Sequence, residues 1–386
     1  MATKLVEGGW PEGTIVRPTL PGKDYYDVQN YQRELEKIWF RTWLCIGRVE
    51  EWKNAGDFIT TQVAHENVMS VLTSDGQIKS YYNVCRHKGS RLCEGSSGHF
   101  HQGRIFCPYH SWGYNADSGA LIRTPNLPDD LEGFCRDDFS LFQVRTETAH
   151  GFVFINFDKD TESLEQALGL PESFDIYERY HFQRLRLGHK KSYVVEANWK
   201  LIMENALECY HCSTIHPELS RCTPPTIARH WVHDEVPGTK ILMHAGAMQL
   251  APGFERMTMD GVGRRPFFPD ITEQDRKGIY YFFIFPHLFF AVASDYVFYF
   301  SAWPMAGDKT LVVGHWLFEP EVLENPEYDI SDAVDFWDIT SVEDWKASEL
   351  VQQGNQSKAY EHGGVLIPND WRVGKFSDYV RNELAD

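Results

Sequence analysis

Several ordinary features are scarce in this 386-residue chain, and each scarcity removes a class of function. Positive charge comes first: 37 Lys and Arg stand against 55 Asp and Glu, a net charge of −18. Nucleic-acid binding depends on clustered cations, so nucleic acid is not the expected partner. Long apolar runs come second. The most apolar segment, IYYFFIFPHLFFAVA at 279–293, is interrupted by Pro286 and His287. It is shorter than the roughly 20 residues a membrane helix needs, and its aromatic and β-branched content reads as buried strand. No membrane partner is expected. The opening MATKLVEGGWPEG has no apolar stretch behind a basic end, which argues against a secretory signal and for a cytoplasmic setting. Cysteine is third. Eight in a chain of this length are too few for a disulfide scaffold, and in a reduced compartment Cys/His pairs more often mean metal.

Internal repeats, low-complexity tracts and flavin or nucleotide fingerprints are missing too. What remains is a soluble-type composition rich in aromatic residues, at 14%, which suggests large cores or an aromatic-lined pocket. The length suits two domains. Residues 1–24 are Pro/Gly-rich and read as extended, and Tyr25–Trp43 has helical spacing. Short strands separated by turn signals fill Leu44 to Asp158, and Ser163–Tyr180 reads as helix. Residues 278–320 form an antiparallel meander, and Ser331–Gln353 a long polar helix. The expected fold is α+β: a small all-β domain at 44–158 inserted into a larger domain made of 1–43 and 159–386, with an antiparallel sheet and flanking helices.

Two Cys/His pairs lie in the β-rich segment, Cys85/His87 and Cys107/His110, on either side of a Gly/Ser-rich stretch. A structural zinc site usually groups like with like, two Cys together and two His together. Here each loop supplies one of each. That suits a [2Fe–2S] cluster with both thiolates on one iron and both imidazoles on the other. The pattern C-x-H followed by C-x2-H, with Arg86, Pro108-Tyr109 and Ser111-Trp112-Gly113 around it, resembles the Rieske motif. The 19 residues between His87 and Cys107 slightly exceed the family norm, the extra length falling in the Gly/Ser/His stretch. Cys93, between the pairs, reads as a free buried thiol.

A second cluster reads NWKLIMENALECYHCSTIH, residues 198–216. His211 and His216 are five apart, which on a continuous helix leaves them roughly 140° apart, so a bend is expected between them, with Pro217 a plausible stop. Two His from one bend and a distant carboxylate make the facial triad of non-haem Fe(II) oxygenases. The segment resembles the catalytic iron motif of Rieske-type oxygenase large subunits, in which an acidic residue precedes the first His ligand by three. Here it is Glu208, where ring-hydroxylating members mostly carry Asp. If helical, Glu208 lies about 60° from His211 and can hold its distal nitrogen.

The resemblance covers nearly the whole chain, and its implications are specific. The sheet and helices would form a helix-grip catalytic domain. Glu208 would bridge His110 of one copy to His211 of the next in a head-to-tail homotrimer. Asp344, in Ser341-Val342-Glu343-Asp344-Trp345, would be the third iron ligand, with Asp338 and Asp335 as alternatives. Electrons would come from a separate reductase, with or without a ferredoxin, and O2 would be cleaved at the second iron. The stretch Glu208-Cys209-Tyr210-His211-Cys212, after Asn198-Trp199-Lys200, looks like the subgroup acting on quaternary ammonium compounds: glycine betaine, choline, carnitine and stachydrine oxygenases. That implies oxidative N-dealkylation of a small N-alkyl compound, a quaternary ammonium or an N-alkyl amide. The rivals are arene ring dihydroxylation, O-demethylation, and an electron-transfer protein with no oxygenase chemistry. Tyr280, Phe282, Tyr296, Phe298, Tyr299 and Trp303 of the meander are candidates for a cation–π pocket. Cys209 and Cys212 are expected to be packed thiols.

Overall fold

The computed structural model describes residues 12–128, 131–170, 174–225 and 242–385, with side chains from 246 onward in the last segment. Two compact units emerge, one from residues 40–164 and the other from 1–39 with 165–386. The divisions fall a few residues outside the expected 44 and 158. Phe40 packs on Phe157 at 5.2 Å, and Leu164 donates its N–H to Glu147 Oε2 at 2.8 Å, so both ends belong with the smaller unit.

The smaller unit is all β. Its seven-stranded sheet runs, by residue, 44–48, 152–156, 143–149, 78–82, 66–72, 57–63, 97–99, and a three-stranded sheet joins 104–106, 113–115 and 121–123. Val63, Val68, Met69, Val71, Tyr81 and Ile105 are buried among them. Val68 and Met69 are neighbours on one strand and both buried, so this strand is covered on both faces.

The larger unit is built on a six-stranded antiparallel sheet in the order Arg186–Val195, Lys309–Phe318, Val297–Ala306, Leu288–Val292, Gly278–Ile284, Leu242–Gln249. The four expected meander strands are its middle. Both faces are buried, as in a sheet covered on two sides. The helix Ser331–Asn355 lies over one face, where Trp337 stacks on Phe298 at 4.9 Å and Trp345 meets Phe300 at 5.4 Å. No helix among the described residues is long and apolar enough to cross a membrane.

Two helical expectations shorten. The first covers Val28–Glu34, capped by Asp27 accepting from Gln29 and Asn30, then widens into a π turn at Leu35–Trp39 before the chain enters the smaller unit. Within Ser163–Tyr180 only Leu164–Leu168 and Ile176–Arg179 are helical, and residues 171–173 lie outside the described residues. The N-terminal segment is part sheet, Arg17–Pro18 pairing with Val365–Leu366, and residues 1–11 lie outside the described residues.

Candidate active site

The smaller unit brings its two Cys/His loops together as near copies. In each, the Cys N–H bonds the carbonyl five residues on, Ser90 or Trp112, and the residue four on returns its N–H to the Cys carbonyl. That fourth residue has positive φ in both loops: Gly89 at 73° and Ser111 at 54°. Glycine adopts this without penalty, whereas Ser111 is held there by the loop. Cys85 and Cys107 are buried, while His87 and His110 are exposed with ring centroids 4.7 Å apart. Trp112 stacks under His87 at 4.8 Å.

The thiols sit among donors. Tyr114 Oη accepts from the Arg86 amide at 3.1 Å and lies 3.2 Å from Cys85 Sγ, placed to donate to it. Burial raises the Cys107 thiol, but hydrogen bonds from the His110 and Tyr109 amides outweigh it and leave the pKa lowered. Burial leaves Cys85 raised. Two inward thiols backed by N–H and O–H donors, beside two outward imidazoles, fit a cluster with sulfur and nitrogen ends. Cys93 is partly buried beside Asn83, its thiol pushed up to about 11 by burial.

The second constellation is built from three pieces of chain. Helix Trp199–Ala206 starts on Asn198, whose side chain accepts from the Lys200 amide. After it, Glu208–Tyr210 is not helical, contrary to expectation. Glu208 reaches His211 across this loop: its Oε2 accepts from the amides of Tyr210 and His211, and its Oε1 bonds His211 Nδ1. A single helical turn, Cys212–Ile215, then separates His211 from His216. His216 leaves the helical region (φ −118°, ψ 77°) because it precedes Pro217, which opens the next helix rather than simply ending one. The bend sets the two rings 5.2 Å apart at 73°.

Asp344, on the helix Ser331–Asn355, faces both rings: its Oδ1 lies 2.8 Å from His216 Nε2 and 3.4 Å from His211 Nε2. Ligand-type atoms of the three residues lie within 4.8 Å of one another. The alternatives stand elsewhere. Asp338 accepts from Tyr193 Oη and pairs with Lys191, and Asp335 is exposed. Glu343, quoted in the sequence only as Asp344's neighbour, holds His216 Nδ1 at 2.8 Å. So each imidazole is fixed by a carboxylate on one nitrogen and offers the other, the tautomer a divalent metal needs.

Charge follows geometry. Burial pulls His211 down, but the hydrogen bonds it donates to Asp344 and Glu208 overcome this and push the pKa up to about 10. His216 is raised in the same way, and the two imidazoles hold Asp344 low despite its burial. Protons here occupy places a cation would take. The donor set therefore fits a mononuclear iron.

These residues line one cleft. Its walls include Met248, Tyr281, Phe283, Phe289, Phe298, Phe300, Trp337 and Trp345. Of the aromatic candidates only Phe298 is among them. Tyr280 is bonded to Asp275, Phe282 stacks on Phe290, Tyr296 bonds the Met257 carbonyl, Tyr299 stacks on His315, and Trp303 packs on His287. On Gly278–Ile284 the cleft takes Tyr281 and Phe283, opposite in parity to Tyr280 and Phe282, and on Val297–Ala306 it takes Phe298 and Phe300, opposite in parity to Tyr299 and Trp303. With both faces buried, no hydrophobic pattern marks which parity that is. Cys209 and Cys212 are joined in a disulfide rather than packed as thiols; the turn around His211 brings their Cα atoms to 5.0 Å.

Residues 182–386 match the ring-hydroxylating alpha subunit catalytic-domain family, and residues 42–139 match the Rieske [2Fe-2S] domain. The chain belongs to this family: it is a Rieske-type oxygenase alpha subunit, with a [2Fe–2S] cluster and a mononuclear iron as cofactors and a separate reductase as partner. Among its relatives is the glycine betaine monooxygenase oxygenase subunit of Pseudomonas aeruginosa, 28% identical over 95% of this chain and 89% of that one. The carnitine monooxygenase oxygenase subunit of Acinetobacter pittii is 28% identical over 94% and 93%. Among solved structures, the quaternary ammonium Rieske monooxygenase CntA shares the fold with a TM-score of 0.76 at 24% identity, covering 98% of this chain and 99% of that one.

Proposed function

We propose that this chain is a terminal oxygenase that removes an N-alkyl group from a small quaternary ammonium compound or N-alkyl amide. The observation that carries the reading is the convergence of His211, His216 and Asp344 in an aromatic-walled cleft. Cys85, His87, Cys107 and His110 would hold the [2Fe–2S] cluster, and the three cleft residues the iron. With both groups bound, the cofactors supply two electrons and the activation of O2 for insertion of one oxygen atom into a C–H bond.

The chain's own residues do the rest. Glu208 and Glu343 fix the imidazoles so that both Nε2 atoms point at Asp344. The aromatic wall excludes water and faces an N-alkyl cation with π density, which a cation lacking hydrogen-bond donors can use. Hydroxylation of the carbon beside nitrogen consumes O2, two electrons and two protons and releases one water. The hydroxylated product then breaks its C–N bond: nitrogen keeps the electron pair, the hydroxyl loses its proton, and an aldehyde leaves.

The working unit is a cytoplasmic homotrimer in which His110 of one copy approaches Glu208 of the next, giving the path His110–Glu208–His211. Exposure of His110 on the smaller unit supports it. The test is a single turnover of chemically reduced protein with O2, offering a betaine, a carnitine, a neutral N-alkyl amide and a bicyclic arene, with products read by mass spectrometry. An aldehyde with its dealkylated partner is expected, and a diol from the arene would replace this reading with ring dihydroxylation.

A further inference from the structure

One charged side chain in the cleft is unused by the chemistry above. Arg372, the second residue of the helix Trp371–Leu384, lines the same cleft as His211, His216 and Asp344. A guanidinium stays charged at any working pH, and when taken from water it is ordinarily paired. Arg372 stacks on Trp371, 4.5 Å from the ring centre, and no Asp or Glu among the described residues forms an ion pair with it. Burial draws its pKa down to about 10, and no neighbouring charge draws it back. The carboxylates of the cleft are committed elsewhere: Asp344 faces two imidazoles and Glu208 holds His211. Most of the remaining wall is apolar or aromatic.

Arg372 is partly exposed, and a charged side chain that faces a largely apolar cleft with no protein anion beside it is placed to pair an anion that arrives with the ligand. We propose that Arg372 is the anchor for a carboxylate on the substrate, so that the cleft takes a zwitterion. The carboxylate seats on the guanidinium, whose planar fork matches it with two parallel hydrogen bonds. The N-alkyl end then lies against the aromatic wall with its carbon presented to the His211, His216 and Asp344 cluster. Arg372 thus sets specificity and position and takes no part in bond breaking. The orientation rests on the N-dealkylation reading; the anchoring of an anion does not.

The test is anaerobic calorimetric titration of the holoenzyme with glycine betaine, carnitine and the methyl ester of each. Wild type is expected to bind the acids at least tenfold more tightly than the esters. That preference should vanish in Arg372→Met and return in part in Arg372→Lys, which keeps the charge and loses the fork. Esters binding as tightly as acids, a preference surviving in Arg372→Met, or no binding of either acid would each overturn the proposal. Should Arg372→Met fail to fold, wild type and Arg372→Lys still decide. Admitting O2 to the reduced complexes separates the two ideas. Arg372-dependent binding of acids with no aldehyde formed sinks N-dealkylation and leaves the anchor. Aldehyde from acid and ester bound alike leaves the chemistry and sinks the anchor.

Discussion

Removing Glu343 should weaken iron binding at a distance, without touching a ligand. Its Oε2 holds His216 Nδ1 at 2.8 Å, and the His216 ring is only 1% exposed. Glu343→Ala leaves a buried N–H unsatisfied, a cost of about 1–3 kcal/mol. It also frees the ring to turn and lowers its basicity. Loss of such a partner typically costs 10–100-fold in metal affinity, about 1.4–2.8 kcal/mol, which agrees with the first figure. Glu343 is itself 28% exposed, which puts the expectation nearer the lower end. Glu343→Gln keeps an acceptor for the N–H and should lose less. The assay is anaerobic Fe(II) competition against a chelator, with the cluster's visible absorbance as an internal control for folding. Iron affinity in Glu343→Ala within twofold of wild type, with the cluster intact, would refute the reasoning.

The two metal sites should fail separately: Cys85→Ala or His110→Ala should lose the red-brown cluster colour, while Asp344→Ala keeps the colour and loses one iron per chain. Asp338→Asn should keep both, and metal analysis with visible spectra would expose the opposite pattern. Lys200→Met should unfold early, because it strands the buried Glu34 carboxylate, which Lys200 pairs and Trp199 Nε1 bonds at 2.7 Å. Breaking such a pair costs about 3–5 kcal/mol, a fall in Tm of roughly 10 °C, and a shift under 2 °C by calorimetry would contradict it. Iron binding should release protons, since metal-free His211 holds its proton to about pH 10. Its raised pKa stabilises the metal-free fold fully below the ordinary histidine value, and that contribution is lost as pH climbs through about 10; apparent iron affinity rises over the same window. A pH-stat at pH 8 that detects no proton release would count against this. Finally, unfolded non-reduced protein should take six alkyl groups and reduced protein eight, by intact mass, because Cys209 and Cys212 are paired.

What could be read from the sequence was whatever depends on local spacing. The Cys-x-His and Cys-x2-His loops, the break between His211 and His216 before Pro217, and the strongly apolar meander all declare themselves within a few residues. Strand parity in the cleft did not, because Tyr280 and Tyr281 are equally apolar neighbours and both faces of their sheet are covered. Glu343 and Arg372 carry no local signal at all. Glu343 looks like any residue of an acidic helix until the helix is docked and its side chain meets His216. Arg372 stands out only when the cleft is assembled around it and lacks an anion. The Glu208–His211 contact was anticipated, but by helical spacing, whereas a turn with Glu208 bonded to two amides makes it. Cys209 and Cys212 read as packed thiols, because their spacing alone does not show that the turn around His211 brings them within bonding reach.

The central claim is that a C–H bond beside nitrogen is oxidised at the cleft. It is tested most directly with an N–CD3 betaine in a single turnover of the reduced holoenzyme, trapping the aldehyde and weighing both products. The account predicts one dealkylated amine per aldehyde, the aldehyde carrying two deuterium atoms, and neither product in His211→Ala. A methyl group released with all three deuterium atoms, or turnover that survives His211→Ala, would contradict it.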